Sequence, residues 1–306
     1  MNNKTKIMLG LSALTAGTLA AGATGTLAWF TTNKTATATY GNIIAQSTSN
    51  KIKLEIQGIT DINAKGSNVD EEGNFNEIAT ATSQLSYTSD VSSKEGKTFV
   101  KPVWEGQAAN SAKVSDLKTL TANDKAFTQY YIKVTNQGAV EGNDNKSGSL
   151  NIFLNDNTTI TPTTKDNSKD NALANWTRVS VLDAGEDIPT SESAETYTLK
   201  TLFEKNVGNT TSYVSGIKAD STGSKTLDIK QYTEAEEKLH KTTDFTTVTT
   251  STTTTDNPAF LGKLEAGKSR YFMVSVWLEG TEADNQDAAI GGSISVSLGF
   301  TGIEVA

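Results

Sequence analysis

The sequence predicts an all-β protein, and three observations support this. Several segments alternate between apolar and polar residues, which is typical of half-buried strands. The chain of 306 residues is rich in Thr, Ser and Asn, with only 4 Pro and an apolar fraction of 36%, enough for a packed core. Segments with helical spacing are few. Sheets with one apolar face must bury that face against each other, so we expect a sandwich or a barrel.

Six segments carry the clearest alternation: Lys51–Ile59, Phe127–Gly138, Gly148–Asp156, Trp176–Leu182, Ser269–Gly280 and Gly291–Val305. Period-two alternation predicts that each sheet has one dry face. The last two segments predict strands whose core-facing side chains are Val274, Val276, Leu278, Ile294, Val296, Leu298 and Phe300.

Helical signals are weak. Ser111–Asp124 has apolar residues three positions apart and could form a short helix, and Thr233–Lys241 begins with a capping-box spacing. Three polar insertions, Gly58–Glu77, Thr161–Asn175 and Thr242–Pro258, predict loops; the last is Thr-rich and predicts an exposed loop or a loose edge. No repeat is evident, so we expect one domain with loop insertions and a few short helices.

The N-terminus has the features of an export signal. A short segment with two lysines precedes the uncharged run Ile7–Ala28, which ends in small residues. We expect residues 1–28 to be a signal peptide cut between Ala28 and Trp29. An earlier cut before Thr24 and an uncleaved membrane anchor are alternatives, and the uncleaved signal would be the only membrane contact.

Several functional classes lack the residues that they need. The net charge of −8, without a basic excess, argues against nucleic-acid binding. The chain has no Cys and one His, His240, so we expect no zinc site, no catalytic triad and no cofactor. Weak candidates for a calcium site are Glu282, Asp284 and Asp287, and the alternative is a solvated hairpin connection.

Three segments carry a resemblance to a known family. The first is AWFTTNKTATATYGNIIA, Ala28–Ala45, which resembles the start of the mature proteins of the TasA/camelysin-type family of secreted proteins. The others are YYIKVTNQGAVEG with the following SGSLNIFL, and SVWLEG with the following GGSISVSLGFTGI, which is similar to the closing strands. The resemblance implies a jelly-roll-like β-sandwich that is secreted to the bacterial surface and assembles into fibres of the biofilm matrix.

The resemblance also implies that a freed N-terminal strand fills a groove in the next subunit of a homopolymer. We expect residues 29–42 to be this donor-type strand and residues 43–306 to be the sandwich domain. Alternation places Ala36, Ala38 and Tyr40 on one face, and Trp29 and Phe30 would close the far end of the groove.

Three alternatives stay open. The N-terminal strand could fold back into its own sheet. The protein could be a monomeric surface module that binds glycans or proteins, with some of its four Trp as stacking platforms. A camelysin-like metallopeptidase is the least favoured, because a single His does not make a zinc site, and we expect no enzymatic activity.

Overall fold

The chain folds as an all-β sandwich of two large sheets. The computed structural model describes residues 36–47, 52–58, 64–67, 78–79, 84–87, 91–105, 113–121, 124, 126–138, 148–165, 167–187, 189, 194–207, 211–233, 239–281 and 292–305. Each large sheet contains seven strands. The predicted β-sandwich class is therefore confirmed.

The first large sheet, sheet A, contains the N-terminal and the C-terminal strands. Its strand order is β16 (Phe260–Leu264), β9 (Leu150–Leu154), β18 (Ser293–Glu304), β1 (Ala36–Ser47) and β4 (Ile78–Ala79). Two short strands complete it: β10 (Thr159–Pro162) pairs with β18, and β5 (Gln84–Tyr87) pairs with β1. β1 and β18 run parallel, whereas the other pairs in this sheet are antiparallel.

The second large sheet, sheet B, has a simple linear order. It runs β15 (Leu239–Lys241), β12 (Thr198–Glu204), β11 (Thr177–Gly185), β17 (Ser269–Leu278), β8 (Phe127–Asn136), β2 (Ile52–Gly58) and β3 (Ala64–Ser67). Only the short edge pair β12–β15 is parallel.

In the described residues, two antiparallel strand pairs and one α-helix accompany the sheets. The pairs are β6 (Phe99–Glu105) with β7 (Lys113–Leu120), and β13 (Ser212–Ala219) with β14 (Lys225–Gln231). The helix, α1, spans Ser168–Trp176, and short 3-10 turns span Ala194–Thr196 and Thr242–Asp244. In the part of the chain that the structure describes, no helix is long and apolar enough to cross a membrane.

The main core lies between sheets A and B. All the core positions predicted in the two closing strands are at most 3% exposed and belong to one buried cluster, which confirms them: Val274, Val276, Leu278, Ile294, Val296, Leu298 and Phe300. Ile52 and Leu54 of β2 and Ile132 of β8 join this cluster from sheet B.

Sheet B is buried on both faces over its strands β11 and β17, so the expectation of one dry face per sheet is wrong there. A second buried cluster covers this part of the outer face and includes Val91, Phe99, Phe127, Met273 and Trp277. On β2 the outer face carries the partly exposed ion pair of Lys53 and Glu55. The ring of Phe99 stacks on that of Phe127, with centroids 3.8 Å apart, and meets the ring of Trp277 edge-on. The segment around Phe99 therefore forms a third layer, which alternation within the sheet strands could not reveal.

The helix predictions need correction. Ser111–Asp124, expected as a helix, contains β7, because its residues pair with β6 across a full antiparallel register. In Thr233–Lys241, Leu239–Lys241 forms β15, and residues 234–238 lie outside the described residues. Thr161–Asn175, expected as a loop, holds the end of β10 and most of α1, whose N-cap is Asn167.

Candidate functional site

The N-terminal strand β1 occupies a slot in sheet A. One wall of this slot is β18, with nine register pairs that run from Thr37↔Ser293 to Ser47↔Gly302. The other wall is made by β5, opposite residues 36–39, and by β4, opposite residues 43–44. A register shift between Tyr40 and Ile43 marks a bulge in the β1–β18 pair. β1 is therefore paired along both of its edges.

The far edge of β18 is already paired without β1. β10 covers residues 294–297 of β18, and β9 covers residues 300–304. Between them, the Asn155 amide donates to the Gly299 carbonyl (2.9 Å), and the Gly299 amide donates to the Thr158 hydroxyl (3.1 Å). Without a strand in the slot, the near edge of β18 would therefore be a long open edge.

A buried carboxylate fixes the end of the slot at which the pairing of β18 with β1 begins. Asp170 of α1 is 2% exposed and accepts hydrogen bonds from the Ser293 amide (2.8 Å) and the Thr164 amide (2.9 Å). The Thr163 amide donates to the Ser293 carbonyl at 3.0 Å. Ser293 is the residue that pairs with Thr37, so these contacts fix the position at which β18 meets the N-terminal strand.

The middle of β18 is tightly packed on the side away from β1. A Cβ added at Gly299 would lie 1.9 Å from the side-chain oxygen of Asn155. That oxygen accepts a hydrogen bond from the Asn157 amide, and the Asn155 amide group donates to the Thr301 hydroxyl at 2.8 Å. The β18 wall is thus fixed by the rest of the domain, independently of what fills the slot.

The connection of β1 to the remaining chain differs from that of a hairpin strand. β2, the next strand in sequence, belongs to sheet B, and four residues, 48–51, separate it from β1. β1 is therefore held in sheet A by pairing with strands that are distant in sequence.

The predicted donor residues divide into two groups. Ala36, Ala38 and Tyr40 lie in β1, in register with Tyr87, Ile294 and Val296 respectively. β1 thus pairs within its own chain, as in the alternative that the sequence left open, and it continues past the expected end at residue 42. Ala28, Trp29 and Phe30 lie outside the described residues, as do Glu282, Asp284 and Asp287.

A buried ionic cluster on the outer face of sheet B was not predicted. It consists of Arg178, Glu204 and Glu279, each at most 2% exposed. The Arg178 guanidinium binds the Glu204 carboxylate, contacts the Glu279 carboxylate at 3.1 Å and donates to the Ser212 carbonyl at 2.7 Å. One guanidinium thus binds two carboxyl groups and one carbonyl.

The ionic cluster joins sheet B to its outer layer. Glu279 also accepts hydrogen bonds from the Trp277 indole (2.9 Å) and the Ser93 amide (3.3 Å). The Tyr232 ring lies 5.5 Å from the Arg178 guanidinium carbon, and burial raises the pKa of its phenol above the usual range. A Trp two residues before a Glu at the end of β17 is the signal that could have indicated this contact.

The single histidine and three of the four tryptophans lie within the described residues. Within them, no group of three or more His, Cys, Asp or Glu could hold a metal ion. His240 lies in β15, in register with Phe203. Trp277 is fully buried, while Trp104 and Trp176 are partly buried and pack against hydrophobic clusters.

Comparison of the chain with models of protein families and with curated protein sequences gave no match.

Proposed function

We propose that the protein is a secreted structural subunit that assembles head-to-tail into extracellular matrix fibres. Each subunit would insert its N-terminal strand into the slot of a neighbour. The observation that best supports this is the placement of β1: it lines the C-terminal strand β18 in sheet A, while the chain continues into sheet B.

Exchange of β1 between identical subunits preserves the pairing. A neighbour's β1 can form the same nine register pairs with β18 and the same pairs with β4 and β5. Swapping an identical element is a low-cost route to association, because the contacts in the two states are the same. In the proposed fibre each subunit gives its strand to one neighbour and receives a strand from a different neighbour, so the contact is head-to-tail and propagates as a filament; reciprocal exchange within one pair would instead close a dimer.

The sequence resemblance supports the cellular setting of this proposal. A TasA/camelysin-like protein would be exported to the surface of a bacterium, lose residues 1–28 and join the biofilm matrix, and its sandwich would be of the jelly-roll type. Cleavage before Trp29 would free the strand, so export would be the event that permits assembly. No catalytic activity is part of this proposal.

The test compares the mature chain that begins at Trp29 with a chain that lacks residues 29–47. Electron microscopy should show fibres only for the first. A synthetic peptide of residues 29–47, present during refolding of the shortened chain, should restore a folded monomer with one bound peptide. A control peptide with Thr39→Pro and Ala45→Pro should not bind, because proline lacks the N–H that a strand needs inside a sheet.

Two outcomes would contradict the proposal. Fibres of the shortened chain, as long and as frequent as those of the mature chain, would show that the strand is not the connector. Failure of the unmodified peptide to bind a shortened chain that folds would show that the slot does not accept a strand in trans.

A further inference from the structure

The Thr-rich segment, residues 246–255 with the sequence TTVTTSTTTT, is fixed at both ends, and most of its residues are exposed. Phe245, which precedes it, is 3% exposed and meets Phe203 edge-on, with ring centroids 5.1 Å apart. Ala259, just beyond it, is 5% exposed, and both anchors belong to the main core. The segment has neither helix nor strand; residues 250, 251 and 255 lie in turns, and Val248 packs against the main core.

Some hydroxyls of this segment hold its backbone in place. The Thr247 hydroxyl donates to the Asp156 carboxylate at 2.7 Å, and the Thr252 hydroxyl accepts from the Thr249 amide at 2.9 Å. The Thr249 and Ser251 hydroxyls bind each other at 2.9 Å. The hydroxyls of these four residues therefore already form hydrogen bonds in the folded protein.

Four other hydroxyls of the segment form no such hydrogen bond within the described residues. Thr246, Thr250, Thr253 and Thr255 are exposed, and within the described part of the chain no hydrogen bond involves their side chains. Burial and β-pairing, the usual reasons for threonine in a β-protein, do not apply to them. Segments rich in Ser and Thr beside a proline, here Pro258, are typical acceptors of O-linked sugars.

We propose that the Thr-rich segment is an O-glycosylation site and that Thr246, Thr250, Thr253 and Thr255 are its acceptors. The Oγ1 atom of each threonine attacks the anomeric carbon of a sugar carried on a phosphate leaving group. A bond between that carbon and Oγ1 forms, the bond from the carbon to the phosphate oxygen breaks, and the hydroxyl proton passes to a base of the transferase. In this reaction the segment is the substrate, and the transferase supplies the catalytic groups.

The Thr-rich segment lies away from the slot that holds β1. The segment leads into β16, which is the edge strand of sheet A, whereas β1 lies beyond β9 and β18 in the strand order. Sugars on the segment therefore leave the slot open, and the proposal does not rest on fibre assembly.

The test uses protein purified from the cell that naturally produces it. Trypsin cuts after lysine, so one peptide, residues 242–263, contains the whole segment. Its mass should exceed the mass of the sequence by whole sugar residues, and electron-transfer fragmentation should place them on the four proposed threonines. A peptide with the unmodified mass, or one that carries only phosphate, would overturn the proposal.

A pair of variants tests the choice of acceptors. Changing all four proposed residues to Val should remove the added mass and leave the fold unchanged, because no hydrogen bond is lost. The matched control, Thr247→Val with Thr252→Val, removes two hydroxyls that are already bonded and should keep the added mass. Sugar that persists in the first variant, or that disappears only in the control, would overturn the assignment.

Discussion

Replacing Arg178 by Met should destabilise the sandwich strongly. The side chain is fully buried, and it is the cation that serves both Glu204 and Glu279. Met has a similar length and fills the space, so the change mainly removes the charge and its hydrogen bonds. Both carboxyl groups then stay buried without their cation, and the Ser212 carbonyl loses its donor.

The magnitude follows from the cost of breaking a buried ion pair, about 3–5 kcal/mol when one partner is removed. This is a large part of the roughly 5–15 kcal/mol that stabilises an ordinary domain. In a large domain each kcal/mol lowers Tm by about 2–4 °C, so Tm should fall by roughly 10 °C.

Thermal and urea denaturation, followed by circular dichroism, measure the effect. Glu204→Gln is the matched control: it removes one carboxylate and leaves Arg178 paired with Glu279, so its cost should be clearly smaller. A wild-type Tm for Arg178→Met, or a larger loss for Glu204→Gln, would refute the view that Arg178 is the centre of this cluster.

Three further predictions concern packing, backbone and pH. Val296→Asp buries an unpaired charge and should abolish soluble folded protein; a wild-type yield and Tm would contradict the core assignment. Gly96→Ala should lower the free energy of unfolding by roughly 2–5 kcal/mol, whereas Gly223→Ala should lower it by about 1 kcal/mol. Equal urea midpoints for the two variants would contradict this difference. Both glycines have positive φ, 73° and 79°, but a Cβ at Gly96 would lie 2.1 Å from a serine hydroxyl, while Gly223 faces open space. A hydrogen bond from Lys118 lowers the pKa of Asp124 from 3.8 to about 2. The stability that the ionised Asp124 carboxylate contributes is therefore complete above pH 3.8 and disappears as pH falls through about 2. Asp124→Asn should reduce the acid dependence of unfolding in that interval. Unchanged acid unfolding would argue against this role of Asp124.

The core positions in the first half of β18 were predictable because only one face of the strand is buried there. Along β18, Ile294, Val296 and Leu298 alternate with half-buried Ser residues, and the sequence pattern matches the burial pattern. β17 is different: from Tyr271 to Leu278 every residue is buried, because a third layer covers the outer face of its sheet. A near-continuous apolar run is typical of a strand buried on both faces, and that was the available signal.

The misassigned helices show where local spacing fails. Val114 and Leu117 are three residues apart, which suits a helix, but pairing with β6 makes the segment a strand. Conversely, α1 contains few apolar residues, so it was expected as a loop; the side chain of Asn167, which accepts a hydrogen bond from the Lys169 amide, was its detectable start signal.

The slot and the ionic cluster could be predicted only in part. The alternation in the N-terminal segment indicates a strand, but its parallel pairing with β18 joins residues at opposite ends of the chain. Arg178 and Glu204 face each other across β11 and β12, and no local pattern encodes that register. Such long-range pairings follow from the packed sheets, so the sequence alone does not reveal them.

The most direct test of the account is a disulfide between β1 and β18. Thr39 and Ser295 are register partners, the chain has no other cysteine, and paired strands lie roughly 5 Å apart, within the range that a disulfide spans. Fibres of the Thr39→Cys, Ser295→Cys variant are grown under reducing conditions, oxidised and run on a denaturing gel without reductant; each single-cysteine variant serves as control. Strand exchange predicts a ladder of covalent multimers that collapses to monomer on reduction, whereas fully cross-linked protein that runs only as monomer would contradict it.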